Sequence, residues 1–123
     1  MKKIIVLLLG VCVFSNMGFS LSKPPKKITV SFQVEGNCGM CKERIEESLD
    51  KKGIYKAMYS IEKDQVTISY DPRKIGEIQL HNIVAMAGHD TEKVKASNTV
   101  YENLPDCCKY RNNKDEWELR KHQ

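Results

Sequence analysis

The spacing of apolar residues between positions 27 and 97 constrains the fold of this chain more than any other feature. From Ile28 to Val34, apolar residues occupy every second position, which is typical of a strand with one buried face. The period then changes to four residues, at Cys41, Ile45 and Leu49. Charged residues fill most of the positions between them, so the spacing predicts an amphipathic helix that ends at Gly53.

The same two periods return in the second half of this segment. Alternating apolar residues on both sides of the polar turn 62–65 predict a β-hairpin. A second helical stripe ends at Gly88 and consists of Leu80, Ile83, Val84 and Ala87. A short strand from Glu92 to Ala96 completes the order βαββαβ. This order predicts an α+β fold, the split βαβ sandwich of ferredoxin-like proteins.

The first 20 residues have the composition of a secretory signal peptide. Two lysines follow Met1, an uninterrupted apolar run covers 4–14, and the small residues Gly18 and Ser20 predict cleavage near Ser20. The uncharged stretch 4–21 is about long enough to cross a bilayer, so an uncleaved membrane anchor is the alternative. We therefore expect an exported protein, either periplasmic or secreted.

Three segments are expected around the folded domain at 27–97. They are the signal peptide at 1–20, a proline-containing linker at 21–26 and a C-terminal extension at 98–123 that includes a short helix. The net charge of +4 comes from the lysines of the leader and the linker, because residues 27–97 carry 11 basic and 11 acidic side chains. This neutral domain has no clustered basic face for a nucleic-acid partner.

The cysteines carry most of the chemical information. Of five in the chain, Cys12 is expected to leave with the signal peptide, and four remain in the exported protein: Cys38, Cys41, Cys107 and Cys108. Cys38 and Cys41 flank Gly-Met where the first strand gives way to the first helix. The positive end of a helix lowers the pKa of a nearby cysteine, and paired thiolates select soft ions. We expect copper(I), which accepts two or three ligands, with zinc or mercury as alternatives.

Four landmarks follow one another in a fixed order along residues 27–97: Cys38-Gly39-Met40-Cys41, Gly53-Ile54, the strand and its exit at 66–72, and Ala87-Gly88-His89-Asp90. In this order the sequence resembles the heavy-metal-associated domain family, which includes copper chaperones, amino-terminal domains of copper-transporting ATPases and a periplasmic mercury carrier. The resemblance implies a ferredoxin-like fold, a solvent-exposed ion held by both motif cysteines, and no enzymatic activity. It also implies transfer of the ion to a partner, here an envelope metal transporter or metal-receiving protein.

The sequence departs from the family pattern near the motif. Gly36 is followed by Asn37 and then directly by Cys38, so the loop lacks one residue and its packing methionine, for which Met40 is a partial substitute. His89 occupies the loop after the second helix and is a candidate third ligand, with a solvated histidine as the alternative. His81 is expected on the polar face of the second helix, and His122 lies near the end of the chain.

Cys107 and Cys108 lie outside the resemblance. Adjacent cysteines rarely bridge each other without strain. Metal ligation, a disulfide to the first pair and a disulfide to another chain therefore remain open. Seven helical and three extended residues span about 20 Å, roughly the length of the predicted last strand, so Cys107 can return to the Cys38 loop. A joint site of four thiolates suits tetrahedral zinc or a small copper(I) cluster.

A thiol-disulfide oxidoreductase is the competing interpretation, because Cys-x-x-Cys at the start of a helix is also a redox motif. It is disfavoured by the length of the domain and by the order of its strands and helices, which fit the metal-binding family better.

Overall fold

The strands and helices follow one another in the predicted order, with one strand missing. The computed structural model describes residues 22–113, together with residues 18 and 20. The elements are β1 (Ile28–Gln33), α1 (Gly39–Ser48), β2 (Ile54–Ser60), β3 (Gln65–Tyr70), α2 (Glu77–Met86) and α3 (Asn98–Glu102), followed by 3₁₀ turns at Asp106–Cys108 and Tyr110–Asn113. The signal peptide, apart from residues 18 and 20, lies outside the described residues, as do Cys12 and His122. In the described part of the chain, every helix is too short or too polar to cross a membrane.

The sheet has the strand order β1-β3-β2, and both pairings are antiparallel. Val30 lies opposite Ile68 and Tyr59 opposite Val66, so alternate side chains from all three strands face the two long helices. The main core consists of ten buried residues: Phe32, Val34, Ile45, Leu49, Tyr59, Val66, Ile68, Tyr70, Leu80 and Val84. The segments with two-residue spacing form the sheet, and those with four-residue spacing form the helices packed against it. The predicted ferredoxin-like fold is therefore confirmed.

The predicted last strand, Glu92–Ala96, does not form. Residues 90–92 contact the end of β1 and the residues just after it through one bridge, Val34 to Thr91, and two backbone hydrogen bonds. The Thr91 side chain then accepts hydrogen bonds from the backbone N–H groups of Lys93 and Val94, at 3.2 and 3.0 Å. Such local side-chain bonds compete with a sheet ladder, and here they turn the chain away from the sheet edge.

His81 is buried, and its predicted position on the polar face of α2 is therefore wrong. Its ring stacks on Phe32 of β1 with the centroids 3.7 Å apart, and its Nδ1 lies 2.7 Å from Thr91 Oγ1. Because that oxygen already accepts two backbone N–H groups, its own proton is available to Nδ1. Burial lowers the pKa of His81, as does the nearby Lys93, while Glu77 and Glu92 act in the opposite direction.

This buried imidazole makes stability depend on pH. Above the ordinary histidine pKa of 6.5, His81 is neutral in both the folded and unfolded states and contributes no difference. Below 6.5 the unfolded chain binds the proton more readily, so the free energy of unfolding is expected to fall as the pH drops. His81→Phe keeps a ring against Phe32 but cannot titrate. The free energy of unfolding, measured with denaturant between pH 7 and 5, should fall less steeply with decreasing pH in this variant than in wild type. The remaining pH dependence is expected from His89. Equal slopes in both proteins would contradict the assignment.

Candidate metal centre

Cys38 and Cys41 lie together at the N-terminus of α1. Cys38 is the residue just before the helix and has an extended backbone, with φ −146° and ψ 178°. Cys41 follows in the first turn, and the two Sγ atoms are 3.6 Å apart. The backbone N–H of Asn37 donates to Cys41 Sγ at 3.4 Å. The predicted pair of sulfurs at the helix start is therefore formed.

The start of the helix also sets the acidity of Cys38. Burial acts to raise the pKa of its thiol, but the backbone N–H groups of Cys41 and Met40 and neighbouring thiols outweigh this effect and lower it overall. This result agrees with the expectation that the positive end of a helix favours a thiolate. Cys38 is half-buried, whereas Cys41 is fully buried.

The C-terminal extension brings a third sulfur to this pair. Cys108 Sγ lies 3.9 Å from Cys38 Sγ, and the Sγ atoms of Cys38, Cys41 and Cys108 all lie within 4.8 Å of one another. Cys108 is fully buried, and burial raises the pKa of its thiol, with a further contribution from Cys41. The tail therefore returns to the Cys38 loop, but it does so through Cys108 rather than Cys107, and without the last strand whose length the estimate assumed.

Cys107 lies at the edge of this group. Its side chain is exposed, and its Sγ is 3.9 Å from Cys108 Sγ and 3.4 Å from the Sδ of Met40. Met40 is 53% exposed, so the two sulfur atoms form a pair at the surface. Cys107 does not belong to the set of ligand atoms within 4.8 Å of one another. The four cysteines thus divide into three inner sulfurs and one outer sulfur.

The segment 98–111, named here the C-terminal strap, is held against the domain by two of its last residues. The Tyr110 hydroxyl donates to the carbonyl of Gly88 at 2.9 Å and accepts from the backbone N–H of Asp90 at 2.8 Å. Arg111 Nη2 donates to Asp90 Oδ1 and to the Ala96 carbonyl, both at 2.7 Å. Burial acts to raise the pKa of Asp90, but hydrogen bonds to its carboxylate from Arg111 and from the backbone N–H of Ala96 outweigh this effect and lower it. The strap is thus anchored just after Cys108.

Aromatic residues of the strap cover the sulfurs. A second apolar cluster consists of Cys41, Tyr101, Leu104, Cys108 and Tyr110, with Cys38 packed against it. The rings of Tyr101 and Tyr110 meet edge to face with centroids 5.2 Å apart, and the Arg111 guanidinium lies 4.3 Å from the centre of the Tyr101 ring. Ser97 caps α3, because its hydroxyl accepts the Val100 N–H at 3.3 Å. The strap therefore has a core of its own.

His89 is neither solvated nor part of the sulfur group. It is fully buried, its Nδ1 bonds to the Glu35 carbonyl at 2.8 Å, and its ring stacks on Tyr110 with centroids 5.6 Å apart. Among the described residues, its Nε2 has no hydrogen-bond partner. Burial lowers the pKa of the ring. The structure places His89 behind the strap, and the third potential ligand atom beside Cys38 and Cys41 is the Sγ of Cys108.

The groups that hold the strap were not predicted from the sequence. Arg111 lies where the apolar pattern ends, yet it is paired with Asp90, 21 residues away. The one available signal was the closeness of Tyr110 and Arg111 to Cys108, because an aromatic and a basic residue beside a cysteine pair are suited to anchor it.

The donor set fits a soft metal ion. With metal–sulfur bonds of about 2.3 Å, the sulfurs around a tetrahedral ion are about 3.8 Å apart. The separations of Cys38 Sγ from the Sγ atoms of Cys41 and Cys108, 3.6 and 3.9 Å, are close to this value. Over residues 22–113, the group of ligand atoms contains sulfur alone, without carboxylate or imidazole. Such a set favours copper(I), zinc or mercury over magnesium or calcium.

Known proteins share the domain and its motif region. Residues 31–90 match the family model described as the heavy-metal-associated domain. The copper chaperone CopZ of Staphylococcus aureus (strain bovine RF122 / ET3-1) is 34% identical over 59 residues, 46% of this chain and 87% of the chaperone. A zinc-transporting ATPase of Synechocystis sp. is 34% identical over 74 residues, 58% of this chain, which spans only 10% of the ATPase. A solved structure of a CopZ metallochaperone has a TM-score of 0.50 and 30% identity, covering 52% of this chain and 98% of that one. The strap lies beyond the residues that match the family model.

Proposed function

This chain belongs to the heavy-metal-associated domain family, and from that membership we propose that it is an exported protein that binds copper(I). In this function it sequesters the ion or passes it to a metal transporter or metal-receiving protein of the cell envelope. Cys38 and Cys41 are the essential ligands. The observation that carries the proposal is the group of three sulfurs within 4.8 Å of one another at the start of α1.

Copper(I) is favoured over zinc by the number of inner ligands. Structural zinc sites are almost always four-coordinate, whereas the inner group of this chain offers three sulfurs. Both copper and zinc occur in the names of the relatives, a copper chaperone and a zinc-transporting ATPase. Mercury, another thiophilic ion, is the remaining alternative. Export is supported by the basic start, apolar run and small residues of the first 20 positions.

Loading with copper(I) tests this function. Reduced protein, mixed anaerobically with copper(I) or with zinc and then gel-filtered against a chelator, is expected to retain one copper ion per chain and to lose zinc. Copper that elutes entirely with the chelator would contradict the proposal, and selective retention of zinc would reassign the cargo.

A thiol-disulfide oxidoreductase is the second candidate. The 3.6 Å separation of Cys38 and Cys41 and the lowered pKa of Cys38 support it. In an insulin-reduction assay, the copper-binding function predicts no turnover by the same preparation. Turnover together with failure to retain copper would favour the oxidoreductase.

A further inference from the structure

We propose that Cys108 is the third thiolate ligand of the ion bound by Cys38 and Cys41, and that Cys107 and Met40 form an outer sulfur pair through which the ion enters and leaves. This inference rests on the proposed function. It adds a third ligand, Cys108, from outside the matched domain, and a route for ion exchange through Cys107 and Met40. Separate variants test the ligand and the route.

The first support is the geometry of the inner group. Cys108 Sγ lies 3.9 Å from Cys38 Sγ, and the three inner sulfurs lie within 4.8 Å of one another, so a single ion between them can contact all three. Cys107 is not part of that group, although its thiol interacts with Cys38 and Cys108 from the exposed side. Of two adjacent cysteines, one therefore points inward to the ligand group and the other outward to solvent.

The second support is that the strap is fixed before the ion arrives. The Tyr110 hydroxyl joins the strap to the backbone of Gly88 and Asp90, and the ion pair from Arg111 to Asp90 is largely shielded, with side chains 22% and 8% exposed. A ligand that is already held in place loses little freedom when it binds, so it contributes more affinity than a mobile one. An anchored Cys108 thus makes the site three-coordinate and shields the ion from water.

The third support is the exposed sulfur pair. Cys107 Sγ is 3.4 Å from Met40 Sδ on the surface and 3.9 Å from Cys108 Sγ beneath it. Thiolate and thioether are both ligands that select copper(I). The pair therefore binds the ion transiently as it passes between solvent, or a partner's sulfur ligand, and the buried Cys108.

Exchange through this pair needs no oxidant or reductant. When Cys107 binds the ion, its thiol proton passes to solvent, a Cys107 sulfur–metal bond forms and a bond from the ion to the incoming carrier breaks. Transfer inward forms the bond to Cys108, whose proton is released, and breaks the bond to Cys107, which takes up a proton. The ion stays copper(I) throughout.

Two serine variants separate the ligand from the outer sulfur. Copper(I) affinity by chelator competition, and the rate of transfer to excess chelator, are measured for wild type, Cys108→Ser and Cys107→Ser. Cys108→Ser is expected to keep one ion per chain but lose at least about tenfold in affinity, since even outer-shell partners of a metal contribute that much. Cys107→Ser is expected to release copper more slowly but to keep wild-type affinity. The affinity is unchanged because loss of the outer sulfur slows uptake and release by the same factor.

Each variant tests a different part of the proposal. Wild-type affinity in Cys108→Ser overturns the third ligand and leaves the Cys38–Cys41 site intact, whereas absence of copper binding by wild type overturns the proposed function itself. Unchanged transfer in Cys107→Ser overturns the outer pair. Because Cys108 is buried and its replacement can loosen the strap, Arg111→Ala serves as a second variant that keeps all sulfurs. It is expected to lose less affinity than Cys108→Ser, and an equal or larger loss would assign Cys108 a packing role.

Discussion

Replacement of both Cys38 and Cys41 by serine is expected to abolish retention of copper(I). The two sulfurs are 3.6 Å apart at the start of α1 and supply two of the three inner ligands, and a hydroxyl is a poor ligand for a soft ion. A single remaining inner thiol, Cys108, cannot chelate. The measurement is copper per chain after gel filtration against a competing chelator, with circular dichroism as a check on folding.

Cys107→Ser is the matched control for this double variant, because it removes a sulfur that is exposed and lies outside the inner group. It should retain one copper ion per chain. If the Cys38→Ser, Cys41→Ser protein kept wild-type affinity, the site would have to be placed elsewhere in the chain.

Gly88→Ala is expected to cause a large loss of stability. Gly88 has φ +106°, a conformation that side chains disfavour, and a Cβ there would lie 2.7 Å from Cδ2 of Leu104 in the strap. The strained backbone alone costs about 1–3 kcal/mol, and the overlap with Leu104 adds to it. We expect the free energy of unfolding to fall by about 2 kcal/mol or more, measured with denaturant. Copper affinity should fall as well, because Leu104 packs beside Cys108.

Gly39→Ala provides the comparison for this variant. Gly39 lies in the first turn of α1, and a Cβ there would meet no atom within 4 Å. Alanine is also the better helix former, so stability should be unchanged or slightly higher. If the free energy of unfolding fell equally in the two variants, the loss could not be attributed to the backbone of Gly88 or to the overlap with Leu104.

The sequence predicted those elements whose pattern is local. Period-two spacing marked β1 and the hairpin, and four-residue spacing marked the helix after Cys38, although α1 begins at Gly39 and ends at Ser48, before the predicted stop at Gly53. Each of these segments buries one face against a neighbour, so the spacing of its apolar residues indicates both the type of element and the face that is buried. The pair Cys38 and Cys41 was identified for the same reason, since the motif and the start of its helix are adjacent in sequence.

The remainder depends on contacts between distant residues. His81 is buried because Phe32 of β1 offers a ring to stack on, and its own helix carries no sign of this partner. The last strand failed because one hydroxyl, that of Thr91, satisfies two backbone groups within a tight turn. Chain length showed that the tail can reach the Cys38 loop. Which cysteine turns inward was decided by the anchors Tyr110 and Arg111.

The most direct test of these assignments is the copper X-ray absorption spectrum of the chain without residues 1–20, loaded anaerobically with one equivalent of copper(I). It counts the atoms bound to the ion without any substitution. Three sulfur neighbours, with no oxygen or nitrogen, are expected from Cys38, Cys41 and Cys108. A first shell of oxygen and nitrogen would contradict the sulfur site, and a first shell of only two sulfurs would contradict the role of Cys108.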